Sequence, residues 1–124
     1  MIHLDANFLI GAADRNSPAH PALQSWLQHG ELLAASSIAW AEFLNGPVEE
    51  AQIRVVDLLI QGRIVPFGRA EAQIAAALFN ATGRRRASRP DCFIAAAAIC
   101  SSAPLATYNH KDFSRFVSLG LRLA

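Results

Sequence analysis

Short apolar runs alternate along the chain with longer stretches in which apolar residues recur every three or four positions, the two periods of strand and helix. Met1-Ile2-His3-Leu4-Asp5 is the first short run, and it ends on a carboxylate that leads straight into the helical segment Ala6-Asn7-Phe8-Leu9-Ile10. Asp14-Arg15-Asn16-Ser17-Pro18 is a loop, with Ser17 as N-cap and Pro18 as the first position of a helix whose apolar residues are Ala19, Leu23, Trp26 and Leu27 and whose stop is Gly30. Leu32-Leu33-Ala34-Ala35 is a second strand, closed by Ser36-Ser37, either of which can cap a helix over 38–45 that stops at Gly46-Pro47. The spacing then predicts a helix over 48–61 with Val55, Val56, Leu59 and Ile60 as its stripe. A third strand follows over 63–67, where Pro66 marks an end or an edge, and then an alanine-rich helix over 70–81. A basic loop over 83–87 precedes Ser88-Arg89-Pro90-Asp91, which opens a helix over 92–101. A fourth strand over 104–107, a loop over 108–116 with one helical turn, and a final strand over 117–123 complete the chain, with no repeat and no linker.

Strands separated by helices predict an α/β fold with a mainly parallel sheet and helices on both faces, because parallel strands cannot be joined by tight hairpins. Two helices fit between the second and third strands, and two more between the third and fourth. At 124 residues the chain is one domain, 1–124. Hydrophobic residues make up 52% and charged residues 17%, with alanine supplying much of the apolar share, which predicts close helix packing. A formal charge of +1 gives no global attraction to nucleic acid or membrane, so any such attraction must come from a local patch. Asp5 interrupts the start too early for a signal peptide, and the longest apolar run, Cys92 to Cys100, falls short of the ~18 residues of a membrane span. A soluble cytoplasmic protein is expected. The two cysteines, eight residues apart on one helix, would stand roughly 12 Å apart, too far to pair, and read as two small buried hydrophobes.

In this layout Asp5 follows the first strand, Glu42 lies in the helix after the second, and Asp91 in the first turn of the helix before the fourth. All fall at the carboxyl edge of the sheet, where open α/β folds bind ligands, and Asn109 and Asp112 join them there. Carboxylates gathered in one cleft repel each other unless a cation is present, and oxygen-only ligands suit Mg²⁺ or Mn²⁺ rather than zinc. Each residue also has a structural reading. Asp5 can cap the following helix, Asp91 lies three residues after Ser88 in a capping pattern, Glu42 can be a surface acid, and Asp112 can cap a turn.

Four segments carry a family likeness: Leu4-Asp5-Ala6-Asn7-Phe8-Leu9-Ile10, Ala41-Glu42-Phe43, Asp91-Cys92-Phe93-Ile94-Ala95-Ala96-Ala97-Ala98 and Ala106-Thr107-Tyr108-Asn109-His110-Lys111-Asp112-Phe113. In order and spacing the chain resembles a PIN-domain ribonuclease, and more closely the VapC-type toxin of a bacterial toxin–antitoxin pair. The resemblance implies a Rossmann-like three-layer sandwich and a metal-dependent endoribonuclease, in which Asp5, Glu42 and Asp91 hold Mg²⁺ or Mn²⁺. It also implies a cognate antitoxin and a homodimer. Asn7 would orient Asp5 or a metal-bound water, and Thr107 would sit beside the site. Two positions depart from the family pattern: Ala6 stands where many members have threonine or serine, and Asn109 stands at the fourth acidic position, leaving Asp112 as a further catalytic candidate.

Arg84, Arg85, Arg86 and Arg89 place four of the eleven basic residues just before Asp91. They suit phosphate contacts that position RNA without reading its sequence, a solvated loop, or an acidic antitoxin segment. His3, His20, His29 and His110 show no zinc-site spacing. A receiver-type signalling domain has similar length and architecture, but its third strand must end on a phospho-accepting aspartate, and here it ends Val65-Pro66-Phe67-Gly68. Neither a P-loop nor a dinucleotide glycine fingerprint is present. The harder rival is a PIN fold that binds RNA or protein without cutting.

Overall fold

The computed structural model describes residues 1–124. Four strands form one parallel sheet: β1 (Ile2–Leu4), β2 (Leu33–Ser36), β3 (Ile64–Val65) and β4 (Leu105–Ala106), in the order β3-β2-β1-β4. His3 is in register with Ala34 on one side and Leu105 on the other, so β1 is central and buried along its length. Helices α1 (Ala6–Ala13) and α2 (Ala19–Gln28) connect β1 to β2, and α3 (Ser37–Asn45) and α4 (Glu50–Ile60) connect β2 to β3. Helices α5 (Arg69–Ala81) and α6 (Arg89–Cys100) return the chain past β1 to β4, and α7 (His110–Phe113) follows. The first two crossovers run outward and the third runs back. Right-handed connections therefore place the two sets of helices on opposite faces of the sheet.

Local chemistry explains the starts of these helices. Asp5 Oδ1 accepts the Ala6 amide at 2.8 Å, and Ser36 Oγ accepts the Ala39 amide at 3.0 Å. Side chains also reach back to the chain before a helix: the Glu49 amide donates to Gln52 Oε1 at 2.8 Å and the Gly68 amide to Glu71 Oε2 at 3.0 Å. The core joins Leu4, Leu9, Leu33, Phe43, Ile60, Phe113 and Phe116 across these elements. Helix α6 runs through it with Ala95, Ala96, Ala97 and Ala98 fully buried, so small side chains let a helix lie against neighbours on all sides.

Several expectations change. The final strand over 117–123 is instead a 3₁₀ turn, Ser114–Leu119, followed by a single bridge between Leu105 and Leu123. Phe116 and Leu121 are the buried residues there while Val117 and Leu119 are exposed, a spacing that no strand produces, and Gly120 at φ 113° turns the chain out of extended conformation. The third strand shrinks to two residues, because Pro66 has no amide to donate. Helix α4 starts at Glu50 rather than 48, and α6 at Arg89 rather than 92. Ser88 makes no cap: its Oγ donates to the Arg85 carbonyl at 2.7 Å, so the capping reading of Asp91 falls. Val55 lies 54% exposed, outside the buried stripe of α4, and Cys100 is exposed where a buried residue was expected.

Candidate active site

The sheet order reverses between β1 and β4: successive strands step away from β1 on one side, and the last strand is laid on the other. Such a switch point opens a crevice beyond the carboxyl ends of the two strands. Asp5 lies at the end of β1 and Thr107 just after β4. Thr107 Oγ1 donates to Asp5 Oδ2 at 2.7 Å, while the other carboxylate oxygen caps α1. The Thr107 hydroxyl oxygen also accepts the Asn109 amide at 3.0 Å and Asn7 Nδ2 at 3.4 Å. Asp5 is buried, and burial raises its pKa, with the hydrogen bonds from Thr107 and Ala6 opposing the rise.

Glu42 on α3 and Asp91 in the first turn of α6 lie close enough to Asp5 to be affected by its charge. Burial raises the pKa of Glu42, and the charges of Asp5 and Asp91 raise it further. Burial likewise raises Asp91, with Asp5 and Asp112 adding to the rise and Arg115 opposing it. Asp5, Glu42 and Asp91, from three separate elements, thus share one electrostatic neighbourhood, in which the charge of Asp5 acts on both others. Asp112 is exposed in α7 and reaches it only as a neighbour of Asp91. Asn109 is exposed beside Thr107.

No group of three or more His, Cys, Asp or Glu side chains converges closely enough to hold one metal ion. Both Asp5 oxygens are engaged, and Asp91 Oδ2 is turned to Arg115 Nη2 at 3.5 Å. The donor chemistry nevertheless fits a hard divalent cation: three carboxylates, oxygen-only, each with its pKa raised by burial. Arg115 meanwhile supplies positive charge to one of them.

Arg115 has no counterpart in the sequence reading. Its guanidinium lies 4.9 Å from the centre of the Phe116 ring, and its Nε is buried without a partner. With Arg85, Ala87, Ser88, Asp91 and Asp112 it lines a cleft of about 230 Å³. A lone arginine two residues after Phe113 gives no periodic or motif cue, because its link to Asp91 spans 24 residues and exists only in the fold. The arginine cluster divides. Arg84 and Arg89 pack over the Phe79 ring, at 5.7 and 5.4 Å, and Arg84 also donates to Asn80. Arg85 lines the cleft, and Arg86 is exposed beside it in the chain.

None of the histidines is paired with the three carboxylates. His29 Nδ1 contacts the Ser25 carbonyl at 2.7 Å, His110 is exposed at the start of α7, and His3 is buried in the central strand with both ring nitrogens unpartnered.

Solved structures with the same fold include VapBC2 from Rickettsia felis bound to a promoter DNA fragment, at TM-score 0.74 and 25% identity over 100% of this chain and 98% of that one. A toxin–antitoxin complex from Klebsiella pneumoniae matches at TM-score 0.73 and 26% identity over 92% and 91% of the two chains. VapBC-1 from nontypeable Haemophilus influenzae matches at TM-score 0.69 and 25% identity over 100% and 97%. No curated protein sequence matches the chain. The family model of the PIN domain matches residues 2–118, a span that holds all four strands and every carboxylate described above, and the chain belongs to the PIN-domain family.

Proposed function

We propose that the chain is a metal-dependent endoribonuclease and the toxin of a toxin–antitoxin pair. What supports the catalytic part is the position of Asp5 at the carboxyl end of β1, braced by Thr107, with Glu42 and Asp91 from two other helices near enough for its charge to raise their pKa values. Asp5, Glu42 and Asp91 would hold Mg²⁺ or Mn²⁺. Such an ion, when bound, supplies an activated water and stabilises charge on the phosphoryl oxygens. The chain's own residues do the rest. Thr107 orients Asp5 and favours its ionised form, and Asn7 steadies Thr107. Arg115 holds Asp91 at the cleft, and Arg85 and Arg86 offer positive charge to the RNA backbone. Asp112 and Asn109 stand at the rim, where either can contact a substrate or its water.

The partner assignment draws on the structural relatives, which are toxin–antitoxin complexes matched over almost their whole length. An antitoxin needs an apolar surface to occupy. Leu27, Val55 and Leu58 are exposed together on a groove of about 560 Å³ between α2 and α4. The family likeness also carries a homodimer, for which sedimentation at twice 13.4 kDa is the measure.

The test is RNA cleavage with Mg²⁺ or Mn²⁺, against chelator and against Asp5→Asn. Cutting that depends on both the ion and Asp5 is expected; equal cutting in all three removes metal catalysis. The second reading, a PIN fold that binds without cutting, is favoured by Asn109 at the fourth acidic position and by the spread of the carboxylates. It predicts RNA binding with no cleavage of transfer, ribosomal or messenger RNA. Membership in the PIN family removes the receiver-domain alternative.

A further inference from the structure

Tyr108 immediately follows Thr107, the residue that holds Asp5, and it is 42% exposed. An exposed aromatic is ordinarily free to turn, but this residue is fixed at its ring face, its hydroxyl and its backbone. One face stacks on Phe8 of α1, with ring centroids 4.5 Å apart and planes inclined by 26°. Its hydroxyl is 3.3 Å from Ser17 Oγ, and its backbone amide donates to Asn7 Oδ1 at 3.3 Å. Gly11 makes room for this arrangement: a Cβ there would stand 2.6 Å from Ser17 Oγ and 3.3 Å from the Tyr108 hydroxyl. The same Asn7 side chain donates to Thr107, so the ring and the proposed catalytic carboxylate share one positioning residue.

We infer that Tyr108 is a stacking platform for one unpaired base of the RNA that enters the site. The inference rests on the ribonuclease reading for the identity of its ligand. Single-stranded RNA is held by aromatic faces on which splayed bases lie, and such stacking tolerates any base. A ring already immobilised on Phe8 loses little freedom when a base covers its open side. Backbone contacts from Arg85 and Arg86 carry no base information, whereas a platform next to Asp5 sets which nucleotide lies beside the bond to be cut. If Tyr108 served only to cover Phe8, a leucine would serve as well.

The experiment measures binding of fluorescent eight-nucleotide oligoribonucleotides by anisotropy in an Asp91→Asn background, with single abasic sites walked along the strand. Wild-type cleavage of the same strands is followed in parallel. Tyr108→Ala and Tyr108→Leu are expected to bind roughly 5- to 100-fold more weakly, Tyr108→Phe to bind normally, and all to melt as cooperatively as the parent. One abasic position should weaken the parent and leave Tyr108→Ala unaffected. Unchanged affinity in Tyr108→Leu, or an abasic profile identical in parent and Tyr108→Ala, overturns the platform. Cutting by the wild type with that result leaves the ribonuclease reading standing. The abasic signature with transfer, ribosomal and messenger RNA all left uncut retains the platform and sinks the ribonuclease reading, while no binding of any strand by the parent removes the platform.

Discussion

Thr107 serves three groups through one hydroxyl: it donates to Asp5 and accepts from Asn7 and the Asn109 amide. Thr107→Val keeps the shape and leaves a buried carboxylate oxygen and an amide unpaired. A loss of about 1–3 kcal/mol in urea unfolding is expected, with Thr107→Ser restoring most of it. Cleavage should fall in the valine variant and recover in the serine. His3 is the opposite case, a polar ring with nothing to bond. Burial, aided by the charge of the N-terminus, lowers its pKa to about 4. The unfolded chain therefore takes up a proton that the folded chain refuses between pH 6.5 and about 4, and stability present above that window is lost as pH falls through it. The shift corresponds to about 3 kcal/mol. His3→Val should flatten the slope of unfolding free energy against pH in this range, and equal slopes in the two proteins would refute the assignment. Asp5, Glu42 and Asp91 could be singled out as candidates from sequence because element order places each near one edge of the sheet. Thr107 could be named as an accompanying residue, while its bond to Asp5 joins residues 102 apart and emerges only when β1 and β4 lie side by side.

At the scale of elements, α4 is the most informative. Its stripe is readable as helical, but Ile60 and Val56 are fully buried whereas Leu58 is 77% exposed and Val55 54%. Ile60→Ala should cost about 2–5 kcal/mol through the cavity it leaves, and Leu58→Lys should change stability by no more than about 0.5 kcal/mol. Denaturant midpoints for the two variants check the contrast. An apolar residue that can be exchanged without loss of stability is available for a partner, and co-expression with an antitoxin should then be impaired by Leu58→Lys alone. Helices and parallel strands were legible here because each carries its own period. The tail over 117–123 was not, because two buried residues and a glycine in a 3₁₀ turn have no period to read, and apolar composition alone resembles a strand.

For the molecule as a whole, raised carboxylate pKa values mean that the folded state is penalised at neutral pH, first by burying these charges and, for Glu42 and Asp91, also by holding them near Asp5. Lower pH relieves that penalty as the carboxylates take up protons, and a bound cation would relieve it without them. Added Mg²⁺ or Mn²⁺ should raise Tm in proportion to the logarithm of concentration above Kd, and Glu42→Gln should equal or slightly exceed the parent without metal, on the order of 1 kcal/mol or less. Scanning calorimetry with and without chelator measures both. An unchanged Tm across millimolar metal would refute divalent binding at this site. Central placement of β1 between β2 and β4 has a consequence for synthesis. A nascent chain that has emerged only as far as α6 already contains Asp5, Glu42 and Asp91, yet one flank of its central strand is bare and Asp5 lacks its brace. The candidate site is thus complete only when the stretch from β4 through Arg115 has joined the fold, because that stretch brings Thr107 to Asp5 and Arg115 to Asp91.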